Sequence, residues 1–166
     1  MNKKRQTAIY VVLDIIAAMI TWFCFFSYRK FHEPFYDSAQ QVYAAMFSDY
    51  KFYLGITLIP LSWIILYMIT GTYRSVYRKS RIKELESIFR NTLFGSLLLF
   101  FVIILDDHIV DYTDYIKLFI ILFGLQCIIT GVFRFVVITI TNNAIHSGKL
   151  QFNTILVGGG KLAFDL

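Results

Sequence analysis

Four long apolar stretches divide the chain, over residues 8–27, 53–71, 88–105 and 116–138. Each is about 18–23 residues long. An α-helix rises 1.5 Å per residue and needs about 20 residues to cross about 30 Å of hydrocarbon. Because hydrocarbon offers no water, each segment must satisfy its backbone hydrogen bonds internally. The pattern therefore predicts an all-α membrane protein, a bundle of four transmembrane helices over residues 1–141.

Composition identifies the bilayer as the solvent of this chain. Hydrophobic residues make up 57% and charged residues 16% of the 166 residues. Soluble domains are about 45–50% apolar and about 25% charged, and a fold of this size could not hide so much apolar surface from water. The net charge of +5 would suggest nucleic-acid binding only if the basic residues formed one face of a soluble fold. The expected partner is the lipid bilayer, and no nucleic-acid partner is expected.

The distribution of Lys and Arg predicts the orientation of the spans. Twelve of the sixteen basic residues flank the spans on one side, which also holds both chain ends. The opposite side holds Arg29, Lys30, Lys51 and Lys117. Loops rich in Lys and Arg stay in the cytoplasm. We therefore expect both termini to be cytoplasmic and the acidic loop at 106–114 to lie outside.

A basic segment follows the second predicted span, over residues 72–91. Apolar residues recur in its second half at helical spacing, which is typical of a helix lying on the inner membrane surface. Its cationic side chains are suited to anionic lipid head groups or a lipid-linked phosphate. They are Arg74, Arg78, Lys79, Arg81 and Lys83. Topology signalling and snorkelling are the favoured interpretation of these charges, and head-group binding is the alternative.

Asp14 is an acidic residue inside the first apolar stretch. A charge at the centre of a membrane helix costs about 2.5–3.5 kcal/mol on insertion scales, so Asp14 should face the bundle, find a partner or stay protonated. Arg134 in the fourth stretch is the candidate, since both residues lie toward the cytoplasmic ends of their spans. An intramembrane pair that packs span one on span four is favoured over a proton or substrate site.

The C-terminal segment 142–166 contains a short apolar run followed by glycines. Gly158, Gly160 and Ala163 fit the strand-to-helix pattern that binds a nucleotide phosphate. The sequence predicts here the first strand and turn of a truncated Rossmann-like domain. Without a crossover helix and a second strand, the three residues form an incomplete cofactor site, and no cofactor is expected in this chain.

Other chemistry-bearing residues lack the spacing of a site. Cys24 and Cys127 lie in apolar stretches without neighbouring histidines and are interpreted as inert buried thiols. The pair Asp106 and Asp107 is interpreted as solvated loop charge. The sequence offers no catalytic residue and no metal ligands.

Three segments in this order resemble a known family. They are YRSVYRKSRIKEL from Tyr73, LDDHIVDYTDY from Leu105 and FNTILVGGG from Phe152. Together they resemble the N-terminal membrane region of bacterial polyprenyl-phosphate sugar-phosphate transferases, which start exopolysaccharide or capsule synthesis. The resemblance covers essentially the whole chain and implies location in the bacterial inner membrane.

The resemblance implies a Rossmann-like and then a catalytic domain after the four membrane helices. That catalytic domain moves a sugar phosphate from a nucleotide sugar to undecaprenyl phosphate with Mg²⁺, through an Asp–Glu pair that has no counterpart here. The expected role is a membrane anchor, inactive alone, with undecaprenyl phosphate and a second copy of the chain as further candidate partners. The alternatives are the anchor of a nucleotide-sugar epimerase or dehydratase, and a small four-helix transporter that uses Asp14.

Overall fold

A computed structural model describes residues 3–32, 38–73, 81–104 and 112–146 as helices and short turns, without a strand among them. The helices are α1 (Lys3–Phe31), α2 (Ala39–Ser48), α3 (Tyr50–Ile69), α4 (Arg81–Ile104) and α5 (Tyr112–His146). All except α2 are long and apolar enough to cross a membrane. This confirms the prediction of four spanning helices and indicates a multi-pass membrane protein.

The long helices extend beyond several of the predicted spans. α5 has 35 residues, whereas the apolar stretch predicted only 116–138. The α1 helix has 29 residues, against 8–27. Backbone hydrogen bonding continues into the head-group region after the composition becomes polar, so hydropathy underestimates helix length.

The four long helices form an antiparallel bundle. The α1 helix packs between α3 and α5, while α4 packs mainly on α5 and more lightly on α3. The diagonal neighbours are therefore α1 with α4, and α3 with α5. Side chains that link diagonal helices must pass through the bundle axis.

The most tightly packed part of the α1–α3 interface is aromatic. The Trp22 ring lies 5.5 Å from the Phe26 ring, and its Nε1 donates to the Phe52 carbonyl at 3.1 Å. A methyl group at Gly55 would overlap this indole. The absence of a side chain at Gly55 lets α3 approach α1 closely, as small residues do at membrane helix interfaces.

The short helix α2 lies between α1 and α3 and was not predicted. Ser38 Oγ accepts a hydrogen bond from the Gln41 N–H, which caps the first turn. The side chains of Val42 and Met46, one turn apart, are buried, and α2 packs on α1. Asp49 then ends α2 and caps α3, because its Oδ1 accepts from the Lys51 N–H at 3.0 Å.

The end of α3 turns the chain back toward the bundle. Gly71 has a φ of 68°, a left-handed conformation that glycine adopts without strain. The Gly71 N–H bonds the Met68 carbonyl, and the Thr72 N–H bonds the Tyr67 carbonyl. This Schellman-type ending satisfies two carbonyls that the helix leaves open. It also places Tyr73 next to α1.

The separate basic helix predicted over 72–91 is not supported. Thr72 and Tyr73 belong to the turn after α3, and Arg81–Asn91 is the first part of the spanning helix α4. Residues 74–80 lie outside the described part. The amphipathic pattern misled because two polar residues of this segment, Glu84 and Asn91, are buried, while the apolar Ile82 is exposed.

The C-terminal predictions lie outside the described residues. The strand at 154–157 and the glycine turn with Gly158, Gly160 and Ala163 follow His146, the last described residue. They stay predictions.

Candidate functional site

The buried face of α1 carries Asp14 into the bundle. Tyr10, Asp14, Ala17, Thr21 and Phe25 are each 3% exposed or less and recur every three or four residues. This is the spacing of one helix face. The carboxylate therefore lies on an inward stripe and has no contact with lipid.

Arg134 lies on the corresponding face of α5 and holds Asp14 with two hydrogen bonds. Its Nε donates to Asp14 Oδ1 at 3.0 Å, and its Nη2 donates to Asp14 Oδ2 at 2.7 Å. This fork-to-fork geometry is the strongest arrangement of a guanidinium and a carboxylate. The structure thus brings together the two residues singled out from the sequence.

Glu84 of α4 is a second carboxylate on the same guanidinium. Arg134 Nη1 donates to Glu84 Oε1 at 2.9 Å, and both side chains are 1% exposed. One cation therefore joins α5 to its two neighbours α1 and α4. These three residues are called the charged centre below.

Tyrosines complete the surroundings of the charged centre. The Arg134 guanidinium lies 4.4 Å from the Tyr67 ring of α3, a cation–π distance. The hydroxyl of Tyr73 donates to Asp14 Oδ2 at 2.8 Å. Burial and the nearby Asp14 carboxylate raise the pKa of the Tyr73 hydroxyl above its usual range, so Tyr73 stays protonated and can donate. Residues of all four spanning helices, and of the turn after α3, thus belong to the charged centre or contact it.

The depth of the charged centre follows from helix geometry. The first span begins at Gln6, so Asp14 lies about 12 Å inside it at 1.5 Å per residue. The fourth span ends at Thr141, and Arg134 lies about 10 Å before that end. Glu84 follows the start of the third span at Ile82 by two residues. The charges are therefore grouped toward one end of the bundle.

Two neutral hydrogen bonds close the same end of the bundle. Gln6 Nε2 donates to Thr141 Oγ1 at 2.8 Å, which ties the start of α1 to the end of α5. Asn91 Nδ2 donates to Thr72 Oγ1 at 2.9 Å, which ties α4 to the turn after α3. Gln6 and Thr141 thus join α1 and α5 at the ends of their spans, whereas Asn91 reaches the turn after α3 from within the third span.

The arrangement is chemically suited to holding helices together. Moving charges out of water is costly and is offset only by close, well-directed partners. Arg134 directs Nε, Nη1 and Nη2 at carboxylate oxygens, and Asp14 accepts three hydrogen bonds.

Among the described residues, no group of three His, Cys, Asp or Glu side chains is placed to hold a metal ion.

Sequence reasoning missed Glu84 as part of the charged centre, and Tyr67 and Tyr73 as residues that contact it. One signal was available. Asp14 and Glu84 are two acids near the same end of the predicted bundle, and Arg134 is a single arginine inside an apolar stretch, which suggests a shared partner. Glu84 was overlooked because it belongs to a segment interpreted as an interfacial helix. The tyrosines were interpreted as interface aromatics, since nothing local shows which way their rings turn.

The remaining predicted site residues are only partly described. Lys83 is exposed at the start of α4, and the backbone of Arg81 begins that helix. Arg74, Arg78 and Lys79 lie outside the described residues. Contact of these cations with lipid head groups stays a prediction.

Replacing Tyr73 with phenylalanine tests whether its hydroxyl stabilises the charged centre. We expect the free energy of unfolding to fall by about 1 kcal/mol, since one charge-assisted hydrogen bond to Asp14 is lost in a membrane bundle. Unfolding by SDS in detergent micelles, followed by circular dichroism, measures the change. Tyr53→Phe is the control, because its hydroxyl bonds the Phe47 carbonyl at an exposed position. Equal effects in the two variants would contradict a special role for Tyr73.

The sequence matches no protein-family model, no curated protein and no solved structure. The resemblance to sugar-phosphate transferases accordingly stays a prediction.

Proposed function

We propose that this chain is the membrane-anchoring part of a polyprenyl-phosphate sugar-phosphate transferase in the bacterial inner membrane. The observation that carries the anchoring role is the charged centre. Its arginine is held by two carboxylates, and its contacts run to every spanning helix. A site of this kind fixes helices in place. The transferase assignment rests on the sequence resemblance alone.

The proposed orientation places the charged centre at the cytoplasmic side. The ends tied together by Gln6 with Thr141 and by Asn91 with Thr72 are the ends flanked by most of the Lys and Arg residues. By the positive-inside rule both termini are then cytoplasmic. A domain that follows α5 would lie beside the basic segment 74–83, where a lipid-linked phosphate could be held.

The pairing of Asp14 favours an anchor over a proton-coupled transporter. A carboxylate that carries protons across a membrane must lose its partner during each cycle. Asp14 accepts from Arg134 twice and from Tyr73 once, and it is 2% exposed. This extent of pairing supports a permanent structural contact. An epimerase or dehydratase anchor fits the same geometry and differs only in the domain that follows.

The reading frame beyond the Leu166 codon tests the proposed function. We expect an open frame that continues into a Rossmann-like domain and then a transferase domain with an Asp–Glu pair. A reading frame that continues into a nucleotide-sugar epimerase or dehydratase domain would assign the anchor to that enzyme class instead. A stop codon at this point, together with proton-driven flux by the purified chain in liposomes, would support the transporter and contradict the anchor.

A further inference from the structure

Beyond the charged centre, the bundle contains a second group of buried polar side chains. They lie on the inward faces of three helices and are each 1% exposed or less. They are Tyr67 of α3, Thr92 and Ser96 of α4, and Gln126 and Thr130 of α5. These five residues are called the polar layer.

Contacts between α4 and α5 give the register of the polar layer. Arg134 bonds Glu84 at one end of the two helices, and the Phe100 and Phe119 rings lie 5.3 Å apart toward the other end. Thr92 and Ser96 lie between these two contacts on α4. Gln126 lies between them on α5, two helical turns from Arg134. The polar layer therefore begins beside the charged centre and continues toward the middle of the membrane.

Several oxygens of the polar layer lack a partner. Gln126 Nε2 donates to Thr130 Oγ1 at 3.0 Å. Within the described part of the chain, however, Gln126 Oε1, Thr92 Oγ1 and Ser96 Oγ have no hydrogen bond. The Tyr67 hydroxyl lies near Gln126 and Thr130 but without the geometry of a hydrogen bond.

Hydroxyls elsewhere in the bundle behave differently. Thr21, Thr57 and Thr139 each donate to the carbonyl one turn earlier in their own helix, at 2.9–3.0 Å. A helix offers this acceptor to any Ser or Thr in its interior. Thr92 and Ser96 do not use it, although both are on α4 and completely buried. Their hydroxyls are therefore available to an acceptor or donor between the helices.

We infer that the polar layer is a binding site for ordered water inside the membrane bundle. A buried polar atom without a partner is destabilising, and several such atoms in one layer make an anhydrous interior unfavourable. A buried water typically makes about three hydrogen bonds to such groups. Hydroxyl and amide groups both donate and accept, which suits water better than an ion. The water lies between α3, α4 and α5, next to the charged centre.

Hydroxyl-radical footprinting of the full chain in nanodiscs tests this site. Radicals formed by X-rays from ordered water label the side chains beside that water. After correction for the higher intrinsic reactivity of a phenol ring with hydroxyl radicals, we expect Tyr67 to be labelled several-fold faster than Phe25 and Phe26, which are equally buried at 1% or less in the aromatic core. Labelling of Tyr67 at the rate of these phenylalanines would overturn the inference.

A matched variant separates bound water from bulk leakage. Thr92→Val with Ser96→Ala removes two hydroxyls at nearly constant volume. We expect slower labelling of Tyr67 and a lower Tm, because the water loses partners. Unchanged labelling, or a Tm equal to or above that of the wild type, would show that the hydroxyls held no water and would overturn the site. If the double variant does not fold, Ser96→Ala alone supplies the same comparison.

Discussion

Replacing Arg134 with methionine is expected to lower the free energy of unfolding by about 3–5 kcal/mol. The methionine fills much of the volume but leaves the Asp14 and Glu84 carboxylates without the cation that Arg134 directs at both. These oxygens lie in the bundle interior at 1–2% exposure, away from the bulk water that would otherwise solvate an unpaired carboxylate. The loss should appear as a lower SDS midpoint and a lower Tm in detergent.

Arg90→Met is the matched control for this prediction. Arg90 forms an ion pair with Glu86 one turn away, but the two side chains are 55% and 70% exposed. An exposed pair of this kind contributes about 0.3–0.5 kcal/mol. A similar loss of unfolding free energy in Arg90→Met and Arg134→Met would contradict the prediction that the buried charged centre stabilises the bundle more than an exposed ion pair does.

A triple variant distinguishes the loss of the attractive ion pairs from the cost of leaving two buried carboxylates unpaired. Combining Arg134→Met with Asp14→Asn and Glu84→Gln removes all three charges. The neutral amides avoid the cost of burying two unpaired carboxylates, so we expect this triple variant to recover part of the loss. Stability no higher than that of Arg134→Met alone would assign the loss to poor packing of the methionine.

Replacing Gly55 with alanine is expected to destabilise the bundle by about 2–3 kcal/mol through overpacking. The new methyl group would overlap the Trp22 indole. That ring is 5% exposed, is hydrogen-bonded to the Phe52 carbonyl and packs against Phe26, so it cannot move aside without losing contacts. The α1–α3 interface should therefore open, and the Tm should fall.

Gly124→Ala provides the control on the same type of helix. A methyl group at Gly124 meets no atom within 4 Å. Alanine is favoured over glycine in a helix by up to about 1 kcal/mol, so we expect unchanged or slightly higher stability. A loss at Gly124 as large as that at Gly55 would show that glycine matters for helix flexibility and not for the approach of Trp22.

The spans and the Asp14–Arg134 contact could be anticipated because lipid imposes simple rules. An apolar run of about 20 residues has few alternatives to a helix, and a charge inside it needs a partner. Few charges lie deep in this chain, so the choice of partner was narrow. The predictions from the sequence therefore agree best with the structure inside the apolar spans, where lipid allows few alternatives to a helix.

Glu84 shows where this reasoning failed. It is two residues inside the third span, among basic residues, and in water a polar face points outward. Here the Glu84 side chain points toward Arg134, while Ile82 and Leu85 are exposed. The positions of the other helices decide which side of α4 faces the bundle. The periodicity of the sequence carries no information about those positions.

The helix α2 was missed for a different reason. Its ten residues are too few to form a stable helix alone, so the cap at Ser38 and the spacing of Val42 and Met46 were weak signals. Its packing on α1 provides the missing stabilisation. Likewise, the Gly55–Trp22 contact depends on the rotation of two helices about their axes, which no local pattern determines.

A double-mutant cycle between Asp14 and Arg134 tests most directly whether the buried charges hold the bundle together. The free energy of unfolding is measured for the wild type, Asp14→Asn, Arg134→Met and the double variant under the same detergent conditions. Because the two side chains share two hydrogen bonds at 2.7 and 3.0 Å, we predict a coupling energy of about 2 kcal/mol. Losses that add within about 0.5 kcal/mol would contradict a stabilising contact between α1 and α5 at this position.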